Sequence, residues 1–158
     1  MKIGIIVHSS TGNTYSVAQK LMEKLKSEGH TVDTKRIEPI GGDNTNISDI
    51  SKIKFDVQPD VSQYDALLFA GPVRGFCISP VLAAYLALIP SLKGKKVGLF
   101  VTQMFPFPWM GGNHAIAQMK NICAAKGAVI SETGIVNWKS KKREEKMITV
   151  VEKLSRFQ

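Results

Sequence analysis

Cysteine is scarce: Cys77 and Cys123 are the two in 158 residues, far apart and in no C-x-x-C or other metal-ligand spacing. That excludes a disulfide scaffold and a zinc ribbon, and it favours a reducing cytoplasm. Long apolar runs are also missing, since the stretches at residues 3–7 and 81–89 fall far short of the roughly 20 residues a membrane helix needs. The first of them resembles a short signal peptide, but it ends in His8-Ser9-Ser10 with no convincing small-residue cleavage site, so it reads as a buried strand. Repeats, linkers and low-complexity tracts do not occur, and one domain over 1–158 is expected. A chain of this length buries roughly two thirds of the surface its unfolded form exposes, so it folds without a staple.

Acidic side chains are in deficit, 13 against 21 Lys and Arg, giving a formal net charge of +8. Such a balance suits nucleic acid, an anionic membrane surface or an acidic protein partner. Nucleic-acid grooves interleave basic residues with aromatics. Here aromatics cluster near the loops at residues 71–77 and 103–112 instead, so nucleic acid is not expected as a partner.

What is present is an alternation of short apolar runs with helical patterns. Residues 3–7 read as the first strand, and the helix after it sets Val17, Leu21 and Leu25 on one face and ends near Gly29. Residues 31–35 alternate as a strand near a sheet edge would. Residues 37–63 hold Gly41-Gly42, several Asn and Asp residues and Pro59, and read as an extended, net acidic surface segment with a short helix near 49–52. Residues 66–70 are wholly apolar, as a central parallel strand requires. Loop chemistry follows in Gly71-Pro72-Val73-Arg74-Gly75, and Ser79-Pro80 supplies a cap and a first helical residue for an apolar helix to residue 89. That helix is either deeply buried or a homodimer seam. Further strands are expected at 97–102 and 128–136, and helices at 115–126 and 141–154, the last with Met147, Ile148, Val151 and Leu154 inward. The class is α/β: five parallel strands, covered by helices on both faces, with the ligand beyond their carboxyl ends.

Between the first strand and the first helix stands His8-Ser9-Ser10-Thr11-Gly12-Asn13-Thr14. Hydroxyls and backbone N–H groups gather there at a helix N-terminus, where unpaired donors and the macrodipole favour an anion. The loop contains no lysine and no G-x-G-x-x-G, which argues against a nucleoside triphosphatase and against a dinucleotide fingerprint. The run Ser9-Ser10-Thr11-Gly12-Asn13-Thr14 resembles the flavodoxin phosphate loop, T/S-x-T-G-x-T. The resemblance implies a three-layer, doubly wound sheet in strand order 2-1-3-4-5, the order for which flavodoxin is a standard example. It also implies FMN, with its phosphate held by these hydroxyls and amides.

In that family the flavin ring lies between the loops after strands three and four. Here these are the Gly71-to-Cys77 and Gln103-to-Gly112 loops, so Pro72, Val73, Arg74, Gly75, Thr102, Gln103, Met104, Phe105, Gly111 and Gly112 become candidate cofactor residues. At least one of Phe105, Phe107 and Trp109 is expected to wall the flat apolar ring. Arg74 is the most informative of the set. A guanidinium near the flavin favours its anionic reduced form and raises the potential above that of flavodoxins with acidic surroundings.

Two features depart from a plain electron carrier. The basic charge differs from the acidity usual in flavodoxins, and Gly71-Pro72-Val73-Arg74-Gly75-Phe76 is similar to the G-T-P-T-R-F-G segment of tryptophan-repressor-binding-protein-type NAD(P)H:quinone oxidoreductases. Expected partners are therefore redox proteins, or NAD(P)H and a quinone. His114 is a candidate for facing a substrate, Cys77 for redox activity, and Lys139-Ser140-Lys141-Lys142-Arg143 for steering an acidic partner or a cofactor phosphate. Cys123 reads as core, and Lys93, Lys95 and Lys96 as solubilising charges at the opposite end of the sheet.

Overall fold

Short β-branched runs become strands and amphipathic segments become helices in the order β1 (Lys2–Val7), α1 (Asn13–Ser27), β2 (Thr31–Arg36), β3 (Glu38–Pro39), β4 (Phe55–Val57), β5 (Ala66–Arg74), β6 (Cys77–Ile78), α2 (Pro80–Leu88), β7 (Lys96–Gln103), α3 (Gly112–Ala125), β8 (Val129–Asn137) and α4 (Arg143–Leu154). This is a computed structural model, and it describes residues 1–9, 11–41, 49–105, 107 and 109–157. The expectations for Ser10 and Gly42 lie outside the described residues. The main sheet runs β2-β1-β5-β7-β8, with β1 parallel to β2 and β5, and β7 parallel to β5 and β8. Counting its five parallel strands alone, this is the expected 2-1-3-4-5 order.

Both faces of the central strands are apolar because both are covered. Leu67, Phe69, Val97, Leu99 and Val101 enter a core with Leu82, Tyr85, Met119 and Cys123 from α2 and α3. Their neighbours Ala66, Leu68, Ala70 and Phe100 enter a second core with Val17, Leu21, Leu25, Val151 and Leu154 from α1 and α4. Consequently α1 after β1 and α2 after β5 lie on opposite faces although their strands are adjacent. A crevice opens at the carboxyl ends where the chain switches sides.

The expected cap of α2 is present. Ser79 Oγ accepts from the Leu82 amide at 3.1 Å and lies 2.7 Å from His8 Nδ1 at the end of β1, with both side chains buried. The His8 amide donates to Ala70 O at 3.0 Å, so one serine ties β1, β5 and α2 together at the crevice floor. Ser79→Ala removes a cap and a buried hydrogen-bonding hydroxyl together. A loss of about 2 kcal/mol is expected in urea unfolding, against about 1 kcal/mol for an ordinary cap deletion.

Several expectations are corrected. In α4 the inner face is Met147, Val150, Val151 and Leu154, while Ile148 is 59% exposed: the i, i+3, i+4, i+7 stripe excludes it. Residues 71–74, read as loop, continue β5, because Gly71 and Pro72 still pair with Val101 and Thr102 of β7. The segment from 37 to 63 contains the antiparallel pair β3–β4 besides its short 3-10 turn at Ile50–Lys52. Lys95 does more than solubilise, since its Nζ donates to Ser62 O and Tyr64 O at 3.1 and 2.5 Å and closes the loop before β5. Among the described residues no helix is long and apolar enough to cross a membrane.

Candidate functional site

The loop after β1 is braced from inside. Ser9, buried, accepts at Oγ from the amides of Gly12 (3.2 Å) and Tyr15 (3.3 Å). The Thr14 hydroxyl is buried 2.7 Å from that of Thr102, fastening α1 to the end of β7. Two of the hydroxyls expected at the phosphate, those of Ser9 and Thr14, are thus engaged within the protein. Gly12, the residue before α1, has φ 92° and no side chain to cap the helix, and a Cβ there would meet nothing within 4 Å. Helices leave their first N–H groups without intrahelical partners. Tyr15 is satisfied by Ser9 Oγ and Ser16 by Gly12 O, which leaves the amides of Asn13 and Thr14 without a partner among the described residues. No acidic side chain occupies the first turn. These two amides, a positive dipole end, open space at Gly12 and a first helical turn without a carboxylate fit a phosphate monoester.

From this loop a cleft of about 280 Å³ extends along Thr11, Asn13, Pro72, Val73, Arg74, Thr102, Gln103 and Met104. The structure therefore gathers eight of the candidate residues along one wall-to-wall surface, contributed by the ends of β1, β5 and β7. Asn13 Nδ2 lies 4.0 Å from Met104 Sδ across it. At the far end β5 turns back into β6, with Arg74 opposite Cys77 and the two turn residues Gly75 and Phe76 at φ 55° and 64°. Phe76 is stacked on Phe105 (centroids 6.0 Å, planes 6° apart), which links the two ring-side loops. Phe107 and Trp109 form a second parallel pair at 5.8 Å. All four rings are at least half exposed, Trp109 most of all at 72%. Gly111 and Gly112 lie behind this rim and are buried.

A network that no local sequence signal announced holds the aromatic loop. Gln103 Nε2 donates to the carbonyls of Phe105 (2.9 Å) and Phe107 (2.6 Å). Asn137, fully buried at the end of β8, gives a second donor to Phe105 O at 3.0 Å, and Lys146 Nζ of α4 holds Asn137 Oδ1 at 3.0 Å. Two acceptors for one amide nitrogen also fix which way the Gln103 amide faces. A terminal amide at the end of a strand that leads into a candidate ligand loop is the only trace the sequence carries.

Other candidates lie elsewhere. His114 is exposed in the first turn of α3. Cys77 is half-buried in β6, and Cys123 is in the core, where burial pushes its thiol up to about 12. Lys139, Lys141 and Lys142 are exposed beyond the end of β8, and Arg143 stacks on Trp138 at 4.7 Å. Among the described residues no group of His, Cys, Asp and Glu is placed to hold a metal ion.

Comparison with known proteins agrees with this architecture. Residues 1–142 match the family of NADPH-dependent FMN reductases. The flavodoxin of Megasphaera elsdenii is 31% identical over 138 residues, 85% of each chain. Among solved structures, the Trp repressor binding protein of Bacillus subtilis superposes with a TM-score of 0.69 at 16% identity, covering 99% of this chain and 100% of that one. A flavoprotein from Lactobacillus acidophilus, in complex with FMN, superposes with a TM-score of 0.59 at 18% identity, covering 92% and 97%. The chain belongs to the NADPH-dependent FMN reductase family, whose members are FMN proteins of the flavodoxin-like fold.

Proposed function

We propose that this cleft holds FMN, and that the protein passes electrons through it between redox partner proteins. Ser9, Thr11, Gly12, Asn13 and Thr14 form the phosphate end, with the Asn13 and Thr14 amides as donors and Ser9 as the internal brace. Pro72, Val73, Arg74 and Gly75 form one side of the ring site, and Thr102, Gln103, Met104 and Phe105 the other. Gly111 lets the first of these sides pack closely on the start of α3, and Gly112 does the same for Gln103 of the second. When bound, the flavin accepts and releases one or two electrons, chemistry that the side chains alone lack. The protein's part is to hold the ring at the surface, to exclude water from one face and to set local charge through Arg74. The carrying observation is the pair of helix-start amides, Asn13 and Thr14, without a partner among the described residues at one end of a cleft walled by Pro72, Val73, Arg74, Gln103 and Met104. Two free thiols and the absence of metal spacing support a reducing, cytoplasmic setting.

A second reading, a small NAD(P)H-dependent quinone or flavin reductase, is favoured by the rim itself. Four exposed rings in two parallel pairs offer a stacking surface to a planar substrate. Two measurements separate the outcomes. Purified protein should be yellow and should bind added FMN at micromolar concentration; a colourless protein that refuses FMN contradicts both readings. Mixing with NADPH without oxygen should leave flavin absorbance unchanged over minutes in a carrier, whereas prompt bleaching assigns the reductase.

A further inference from the structure

Arg36 belongs to no motif, yet it stands beside the phosphate loop. It is the last residue of β2, level with Val7 across the parallel ladder, so its backbone emerges at the same end of the sheet as residues 8–12. Its Nη2 donates to the carbonyl of Ser9 at 2.8 Å, and its guanidinium carbon lies 4.9 Å from the Tyr15 ring centroid. Ser9 opens the loop, and Tyr15 sits in the first turn of α1. One flat cation therefore touches both ends of the candidate phosphate site.

A guanidinium suits this place because it can donate in its plane while stacking on a ring face. Two further observations point beyond bracing. Among the described residues no carboxylate pairs with Arg36, and none stands in the first turn of α1. The loop itself carries no lysine or arginine, so the positive charge that the hydrogen bond to Ser9 O brings to it is that of Arg36. A phosphate monoester carries about −1.5 to −2 charges at pH 7.

Resting on the reading that FMN binds here, we propose that Arg36 is a specificity-determining residue for the phosphate. It adds fixed positive charge to a site otherwise built from dipoles, so that the phosphorylated flavin is preferred over riboflavin and its binding weakens with salt.

The test uses the full-length protein, stripped of flavin and titrated with FMN and with riboflavin at low and high ionic strength, in wild type, Arg36→Gln and Arg36→Lys. Arg36→Gln keeps a donor for Ser9 O but loses the charge. It should weaken FMN about three- to tenfold at low salt, leave riboflavin unchanged and flatten the salt dependence. Arg36→Lys should keep most of the preference for FMN. Equal weakening of both flavins by Arg36→Gln would reduce the residue to a loop brace and overturn the proposal, as would no weakening of either. A loss in Arg36→Lys as large as in Arg36→Gln would also overturn it, because charge would then not be the cause. Failure of the wild type to bind FMN is a different result, which removes the parent reading instead.

Discussion

Gly111→Ala should cost about 3–5 kcal/mol, lowering the thermal midpoint by roughly 10 °C in a domain of this size. Gly111 precedes α3 at φ 114°, a backbone conformation that a residue with a side chain adopts only under strain of about 1–3 kcal/mol. A Cβ there would stand 2.7 Å from Val73 Cγ1 and 2.8 Å from Phe76 Cα. The second atom is backbone, at the tip of the β5–β6 turn, and cannot retreat by changing rotamer. The variant must either push that turn away from α3 or unwind the start of the helix. Gly12→Ala is the internal control, since it has a similar positive φ of 92° and open space around the added carbon. It should cost only the strain, about 1–2 kcal/mol. Circular-dichroism melts of the two variants decide the matter: equal midpoints would show that crowding at Val73 and Phe76 does not operate. Because Val73 lines the cleft and Phe76 stacks on Phe105, the Gly111 variant should also bind flavin more weakly than the wild type.

The central sheet could be read from the chain because its strands are buried on both faces and thus appear as unbroken apolar runs, as in residues 66–70. The candidate phosphate loop was equally visible, since hydroxyls, a glycine and a strand-to-helix junction coincide within six residues. Ser79-Pro80 announced α2 by local chemistry alone. What escaped is what depends on partners distant in sequence or on unusual backbone. The β5–β6 turn needs left-handed residues at both central positions, and Gly75-Phe76 is not a dipeptide that advertises this, because Phe76 takes φ 64° against its own preference. Strands β3 and β4 have two and three residues, too few for alternation to register. Arg36 reads as one more basic residue of an edge strand until Ser9 and Tyr15 are folded beside it. Gln103 and Asn137 likewise gain meaning only when the ends of β7 and β8 meet under the aromatic loop. Ile148 failed for the opposite reason. Its apolar character promised burial, but the helical repeat assigns that face to Val150 and Val151.

Arg74→Ala should make the bound flavin harder to reduce, shifting its potential downward by roughly 40–90 mV for a one-electron step, the equivalent of about 1–2 kcal/mol at 59 mV per factor of ten. The sign follows from charge. Positive charge beside the ring favours whichever redox state is more negative, here the reduced one. Deleting it removes that preference. The magnitude is held to this range because Arg74 is half-buried at the cleft wall, so water screens part of its field. Arg74→Lys should fall between wild type and alanine, keeping charge on a more flexible and more strongly hydrated group. Potentiometry of the three proteins with FMN bound is the measurement, and an alanine variant with an equal or higher potential would refute the assignment. The comparison also separates two roles for basic charge in this molecule. Arg74 and Arg36 stand at opposite ends of one site. The first should alter potential with little dependence on the phosphate, and the second should alter affinity through the phosphate with little effect on potential. A protein in which both substitutions moved both quantities alike would owe its flavin properties to net charge as a whole, not to these two positions.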